Sequence, residues 1–184
     1  RSRGLGDVYK RQAPNVSWIA MRTGMDKQHD LMASINASLG NHAHANGISL
    51  ELYGKGYVLG PDAGIGKHLY SGLDYSEYYS QMPAHNTVVV DGVSSYPVMM
   101  SQHAFKVISV YPEVSAEKPA SKKLSEQKEK MTYVTVSFLE PETQAEQQRT
   151  TAIVKTSDKG GYYIDVFRSR KKEGGDKTHD YFYH

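Results

Sequence analysis

The sequence predicts an all-β fold, an antiparallel β-sandwich, from three observations. Short apolar runs recur along the 184 residues, each bounded by Gly, Pro, Asn or Asp. Several of these runs alternate apolar and polar residues, as in a strand with one buried face. Long helical stripes, with apolar residues three and four positions apart, are missing. About ten strands joined by glycine turns fit two packed antiparallel sheets.

Eight segments carry the strand pattern. Residues 46–53 show it most clearly, because apolar and polar side chains alternate between the two faces. The Gly-Lys-Gly at 54–56 predicts a tight turn into the next strand, and so a β-hairpin. Residues 87–90 are apolar on both faces, which predicts a central strand. The predicted strands comprise residues 17–22, 30–36, 46–53, 57–60, 87–90, 132–139, 151–155 and 162–167.

Two stretches lack the strand pattern. Residues 115–130 carry five Lys and three Glu, which predicts a solvated loop or a short exposed helix. Residues 63–83 form a long loop rich in tyrosine, and long loops on compact β domains are often functional. We therefore expect the second stretch to contribute to a site.

Composition excludes several classes of protein and site. Lys plus Arg is 22 and Asp plus Glu is 20, so the net charge of +2 argues against a nucleic-acid partner. No window approaches the ~20 apolar residues of a membrane span. The chain has no cysteine, so disulfides, thiolate metal sites and a cysteine nucleophile are excluded. Any metal must be held by histidine and carboxylate side chains.

The two ends of the sequence differ in pattern from the segments between them. Residues 1–12 are basic, lack the apolar core of a signal peptide, and are interpreted as a non-native or disordered leader. The aromatic run at 179–184 stops in mid-pattern. We therefore expect one domain over residues 13–184, incomplete at its C-terminus.

The most informative motif is His-x-His at residues 42 and 44. In an unbroken strand His42 and His44 point the same way, although Gly47 can insert a bulge that changes the parity. Asp62 follows the next predicted strand and His85 precedes a later one. His44, Asp62 and His85 would make a chemically sensible zinc site. The alternative is a hydrogen-bonded polar cluster at the sandwich edge.

A cupin site is the first family-level alternative for His-x-His on a β domain. A cupin glutamate follows the second histidine by three or four residues, whereas the first glutamate here is Glu51, seven positions after His44. The cupin interpretation is therefore weakened.

Two longer segments carry a resemblance to a known family. Residues 40–64, GNHAHANGISLELYGKGYVLGPDAG, and residues 84–92, AHNTVVVDG, together resemble the β-sandwich domain of heparinase II/III-like polysaccharide lyases, a group that includes oligoalginate lyases. The resemblance runs from about Trp18 to the C-terminus. The strands WIAMRTG at 18–24 and GGYYIDVFRSR at 160–170 are similar to strands of that domain.

The resemblance implies a function and a set of roles. Such enzymes cleave uronic-acid-containing polysaccharides by β-elimination, between this sandwich and an N-terminal (α/α) toroid that the sequence lacks. It implies that His44, Asp62 and His85 bind a mainly structural zinc and that His42 faces the substrate. It also implies an acid or base tyrosine in the 63–83 loop, for which Tyr70 is the best match. Tyr75 and Tyr78 are the fallbacks, and a periplasmic or extracellular location is expected.

Some features depart from the family pattern or leave alternatives open. Asn46 stands where an Asp is common, and Ala63 where a Pro is common, but neither change removes a proposed ligand. The Asn, His and Tyr that relatives supply from the toroid have no counterpart here, so this chain alone is expected to be inactive. A non-catalytic, zinc-stabilised carbohydrate-binding or structural sandwich is the alternative function. The particular polysaccharide and the choice between endo- and exo-action stay open.

Overall fold

The computed structural model describes residues 10–13, 17–68, 72–94, 100–113, 130–175 and 177–184. Strands dominate these ranges, and all the pairings between them are antiparallel. The strands are β1 Lys10–Ala13, β2 Trp18–Arg22, β3 Leu31–Asn36, β4 Ser38–Asn41, β5 Ser49–Gly54, β6 Tyr57–Gly60, β7 Val88–Val90, β8 Met100–His103, β9 Lys106–Tyr111, β10 Met131–Leu139, β11 Glu146–Ser157, β12 Gly160–Arg170 and β13 His179–Tyr181.

The first large sheet has the strand order β1-β2-β3-β5-β6. Its β5–β6 hairpin turns through Lys55 and Gly56, which have φ of 58° and 83°. Two successive residues with positive φ are the backbone requirement of the tight hairpin turn whose twist matches the strands. The glycine-rich turn predicted at 54–56 is therefore confirmed.

The second large sheet has the order β12-β11-β10-β9. The two longest strands, β11 and β12, form a hairpin through residues 158–159 and pair along nearly their full length. β10 pairs β9 with a register shift between Thr135 and Val136. The alternating burial of β10 and β11 places one face of this sheet against the first.

The core lies between the two sheets, which confirms the β-sandwich. Buried apolar side chains from β2, β3 and β5 meet buried side chains from β10 and β11 in one cluster. Burial of this apolar surface is the main favourable term in folding. The cluster consists of Ile19, Met21, Leu31, Ala33, Ile35, Ala37, Ile48, Leu50, Leu52, Phe105, Val134, Val136, Phe138 and Ile153.

β7 is buried, but it is not the central strand that its sequence predicts. Within the described ranges it pairs with β13 in a two-stranded sheet. Val89 packs with Ala45 and Met82, whereas Val88 and Val90 pack with Ala145. Loops and side chains therefore bury both faces of β7, which the apolar pattern alone cannot distinguish from burial inside a large sheet.

β1 overlaps the last residues of the predicted leader. Residues 10–12 belong to β1, which pairs β2 from Lys10↔Met21 to Ala13↔Trp18. An edge strand tolerates polar residues because its backbone alone carries the pairing, so the basic composition there concealed a strand. Residues 1–9 and most of the 115–130 stretch lie outside the described residues. None of the helices in the described part has the length and apolar character to cross a bilayer.

Candidate functional site

The His-x-His motif lies on a loop and not in an unbroken strand. β4 ends at Asn41, and β5 begins at Ser49. His42 has φ of 62° and Gly47 has φ of 60°, so the backbone leaves the extended region at both positions. His42 is exposed and His44 is half-buried. The two histidines reach the same cavity through a loop and do not share a strand face.

Asp62 and His85 form a direct contact at this loop. Nδ1 of His85 lies 2.5 Å from Oδ2 of Asp62, and the His85 side chain is buried whereas Asp62 is partly exposed. Oδ1 of Asp62 accepts the Gly64 N–H at 2.7 Å. Burial opposes ionisation of Asp62, but the hydrogen bonds from His85 and Gly64 and the nearby imidazoles outweigh it and lower its pKa. Asp62 is therefore a carboxylate that accepts the Nδ1–H of His85.

The second ring nitrogen of His85 is left for another partner. With Nδ1 protonated, Nε2 of the neutral ring carries a lone pair. Nε2 is buried and has no hydrogen-bond partner among the described residues. A buried polar atom without a partner is costly, so this atom is a candidate ligand for a group that completes the site.

His44 completes the cluster from the opposite loop. Its ring centroid lies 5.4 Å from that of His85 and 5.5 Å from that of Tyr75, which packs edge-on. Burial lowers the pKa of His44, and the adjacent His85 lowers it further against the opposing effect of Asp62. A lowered pKa keeps the imidazole neutral, which is the form that binds metals.

One polar cavity of about 340 Å³ joins these residues. Besides His42, His44, Asp62 and His85, it is lined by Asn36, Ala37, Leu39, Ala43, Asn46 and Glu51. Oε1 of Glu51 accepts a hydrogen bond of 3.2 Å from Nδ2 of Asn36. Burial raises the pKa of Glu51, and the negative charge of Asp62 raises it further. The cavity therefore combines two carboxylates with three imidazoles.

Asn86 ties the segments of the site together. Its Nδ2 donates to the carbonyl oxygens of Leu50 at 2.8 Å and Pro61 at 2.9 Å. These bonds place His85 beside the chain segment that carries Asp62. On the other side, Ser38 Oγ donates to the His44 carbonyl oxygen, and the Ala45 N–H donates to the Ser80 carbonyl oxygen at 2.9 Å.

The family model described as "Heparinase II/III-like, C-terminal" matches residues 10–136, more than half of the sequence. This chain belongs to the heparinase II/III-like C-terminal family. The resemblance seen in residues 40–64 and 84–92 is thereby confirmed.

A curated relative extends the comparison. An endo-acting ulvan lyase from Formosa agariphila is 33% identical over 148 residues, covering 78% of this chain and 18% of the relative. The chain thus spans less than a fifth of that relative's length.

Solved structures of the family share the fold. The heparan sulfate lyase HepC from Pedobacter heparinus matches with a TM-score of 0.64 at 17% identity, covering 91% of this chain and 23% of that structure. A heparinase III gene product matches with a TM-score of 0.68 at 14% identity, covering 95% of this chain and 24% of that structure.

The predicted zinc ligands fit a metal in their chemistry. His44, Asp62 and His85 supply two imidazoles and one carboxylate, a donor set typical of zinc. The described part of the chain contains no set of three His, Asp or Glu side chains already arranged to hold a metal ion. Instead, Asp62 and His85 hydrogen bond directly to each other.

The candidate tyrosines lie in different places. Tyr70 falls outside the described residues. Tyr75, in a helical turn Tyr75–Tyr79, is 5% exposed and packs against His44 from behind. Tyr78, in the same turn, is 39% exposed and its ring packs against Tyr79. Neither Tyr75 nor Tyr78 is among the described residues that line the cavity.

Several site residues were not found from the sequence. Glu51 and Asn36 line the cavity from β5 and β3. Asn86 hydrogen bonds to the segments on either side of it, through the Leu50 and Pro61 carbonyl oxygens. Glu51 alternates with the apolar residues of its strand, which identifies its face but not its neighbours. Its closeness to Asp62 depends on the packing of segments that are far apart in sequence.

Proposed function

We propose that this chain is the β-sandwich part of a polysaccharide lyase that cleaves uronic-acid-containing polysaccharide by β-elimination and leaves an unsaturated uronyl end. The observation that carries the proposal is the meeting of His42, His44, Asp62 and His85 at one polar cavity in a chain of the heparinase II/III-like family. Relatives named as an ulvan lyase and a heparan sulfate lyase support a polysaccharide substrate. We also propose a periplasmic or extracellular location.

β-Elimination sets three chemical requirements. The uronate carboxylate must be neutralised so that the C5 proton becomes acidic, and a base must take that proton. The C–H electron pair then forms the C4=C5 double bond, the glycosidic C4–O bond breaks, and the departing oxygen takes a proton. Positioned donors stabilise the enolate-like charge, and positioned acids and bases transfer the protons.

Two residues of this chain would meet part of these requirements. His42 is exposed on the cavity rim and would donate to the substrate carboxylate. Tyr70, from the tyrosine-rich loop, would transfer protons. The remaining acid, base and carboxylate-binding groups would come from an (α/α) toroid domain of the same protein.

His44, Asp62 and His85 would hold a zinc ion with a mainly structural role. Bound zinc would fix the loop that carries His44 relative to the segments that carry Asp62 and His85. The buried Nε2 of His85, which has no partner among the described residues, supports His85 as one of these ligands.

The first experiment measures the metal content of the purified chain and of His44→Ala by elemental analysis, with thermal unfolding before and after chelation. We expect roughly one zinc per chain, lost together with stability in His44→Ala. His29→Ala is the matched control, because His29 is also bonded to an aspartate but lies on the β2–β3 loop. A metal-free wild-type chain that is insensitive to chelator would refute the zinc site.

The second experiment tests the lyase directly in the complete natural protein that carries this chain. Formation of unsaturated uronyl ends is followed by ultraviolet absorbance on ulvan, heparan sulfate and alginate. His42→Ala and Tyr70→Phe are each expected to lower kcat by about 10²-fold or more with the fold intact, whereas His29→Ala is not. No unsaturated product from any uronate polymer, with sugar binding retained, would instead favour the non-catalytic carbohydrate-binding sandwich.

A further inference from the structure

The guanidinium of Arg149 lies fully buried at the centre of a hydrogen-bond network beneath the site. Its Nε and Nη2 donate to the two carboxylate oxygens of Asp165, each at 2.8 Å. Nη2 also donates to the Tyr181 hydroxyl at 2.8 Å, and Nη1 donates to the carbonyl oxygens of Ile48 at 2.7 Å and Asn86 at 2.6 Å. All five N–H donors of the side chain are therefore used.

The two carbonyl groups belong to the segments that carry the imidazoles. Ile48 follows His44 by four residues, and Asn86 follows His85 directly. One nitrogen of a rigid planar group thus holds the His44 loop and the His85 segment at a set separation. Asn86 in turn bonds the Pro61 carbonyl oxygen beside Asp62, so three site segments meet at this point.

Asp165 and the residues around it fix the orientation of the Arg149 guanidinium. Asp165 accepts two parallel bonds from it, and Thr151 Oγ1 donates to the same carboxylate at 3.0 Å. The Tyr181 hydroxyl donates to Asp165 at 2.9 Å, and the Phe167 ring lies 5.2 Å from the guanidinium carbon. A lysine ammonium has no planar fork and cannot reproduce this arrangement.

We propose that Arg149 is a positioning residue that sets the distance between the His44 loop and His85, and so tunes the affinity of the site for its metal. The inference rests on the proposed function, because it assigns the site a zinc ion. Hydrogen-bond partners outside the ligand set typically change metal affinity by 10–100-fold when they are replaced. Arg149 would act in this way from a strand of the opposite sheet.

Gln147 provides a matched control on the same strand. It is also fully buried, lies two residues from Arg149, and donates to the Val88 carbonyl oxygen at 3.1 Å. Its bond supports β7 rather than the two imidazole segments. A general loss of stability affects variants at both positions, whereas a loss of site geometry affects variants of Arg149 alone.

The test compares Arg149→Lys with Gln147→Met in the 184-residue chain, at a temperature at which both are folded by circular dichroism. Zinc alone is the probe, titrated against a competing chelator. Arg149→Lys is expected to weaken zinc binding about tenfold or more, and Gln147→Met to keep the wild-type affinity. Equal affinities of wild type and Arg149→Lys, or an equal loss in both variants, would overturn the proposal.

A second readout needs no metal. The imidazole nitrogen NMR signals of His44 and His85 in the metal-free chain are expected to shift in Arg149→Lys but not in Gln147→Met, with exposed His29 as an internal reference. If wild type binds no zinc, the metal assignment fails and these signals alone decide the positioning role. Unchanged signals would refute it.

If Arg149→Lys does not fold, Asp165→Asn, which loses the bidentate carboxylate, is measured in the same way with the same criterion.

Discussion

Nδ1 of His85 lies 2.5 Å from Oδ2 of Asp62, although the whole tyrosine-rich loop separates the two residues in sequence. The same type of pair occurs on the surface, where Nδ1 of His29 lies 2.6 Å from Oδ2 of Asp26. The two pairs differ mainly in burial, since the His85 side chain is 1% exposed and that of His29 is 34% exposed. They form a natural comparison between a buried and an exposed contact.

Asp62→Asn is therefore expected to be far more damaging than Asp26→Asn. The Asp62 variant weakens the acceptor of a buried imidazole N–H, at a cost of about 1–3 kcal/mol, whereas the exposed Asp26 pair is screened by solvent and contributes little. Chemical denaturation of the metal-free chain measures both. Equal stability losses would mean that the buried contact adds nothing beyond the exposed one.

Substitutions of the two histidines of the His-x-His motif are expected to differ in their effects on zinc content and melting temperature. His44 packs against Tyr75 and His85, so His44→Ala should lower the melting temperature and the zinc content together. His42 is exposed on the rim, so His42→Ala should leave the zinc content unchanged. Elemental analysis and thermal unfolding of both variants check this. Loss of zinc in His42→Ala would make His42 a ligand and reassign the motif.

Much of the sandwich could be predicted because its signals are local. Ile48, Leu50 and Leu52 alternate with polar residues, and they are buried in the core as the period of two requires. The β5–β6 hairpin was predicted from Gly54 and Gly56, and Gly56 supplies one of the two positive φ values of the turn. β4, β8 and β9 were not predicted, since β4 and β8 have only four residues each and β9 carries no clear alternation.

The site could be predicted only in part, because its geometry depends on distant contacts. His44, Asp62 and His85 were selected by residue type, and the structure brings them together. The condition that His42 and His44 lie in an unbroken strand is not met, because His42 and Gly47 take positive φ. Arg149 carries no local signal, because its partners Ile48 and Asn86 lie 101 and 63 positions away.

Gly47 is expected to be intolerant of any side chain. Its φ is 60°, and a Cβ there would lie 2.8 Å from both Met82 Cε and Thr87 Oγ1. Gly92 has a similar φ of 68°, but a Cβ there would meet nothing within 4 Å. Gly92→Ala should therefore cost about 1–2 kcal/mol for the backbone alone. Gly47→Ala should cost about 1–3 kcal/mol more, because its Cβ also overpacks Met82 and Thr87.

Urea denaturation of the two glycine variants gives the difference directly. The zinc content of Gly47→Ala is expected to fall as well, because Gly47 lies three residues after His44 on the same loop. Equal free energies of unfolding for the two variants would show that Met82 and Thr87 move aside without cost.

Tyr163 links the two sheets through its hydroxyl, which donates to the carbonyl oxygens of Tyr53 on β5 and Met32 on β3. Tyr163→Phe removes this donor and is expected to lower the free energy of unfolding by about 1 kcal/mol near neutral pH. Tyr162→Phe is the matched control, because Tyr162 is the next residue in the chain and its side chain is 50% exposed. Chemical denaturation of both variants measures the difference.

The same hydroxyl predicts a dependence on alkaline pH. Burial raises the pKa of Tyr163 from 10.0 to about 12. Because the folded pKa exceeds the unfolded one, the stabilisation is fully present below pH 10 and is lost as the pH rises from 10 towards 12. Wild type and Tyr162→Phe should therefore lose stability more steeply than Tyr163→Phe in this window. Parallel stability curves for wild type and Tyr163→Phe from pH 9 to 12 would show that the hydroxyl ionises as readily in the folded chain as in the unfolded one.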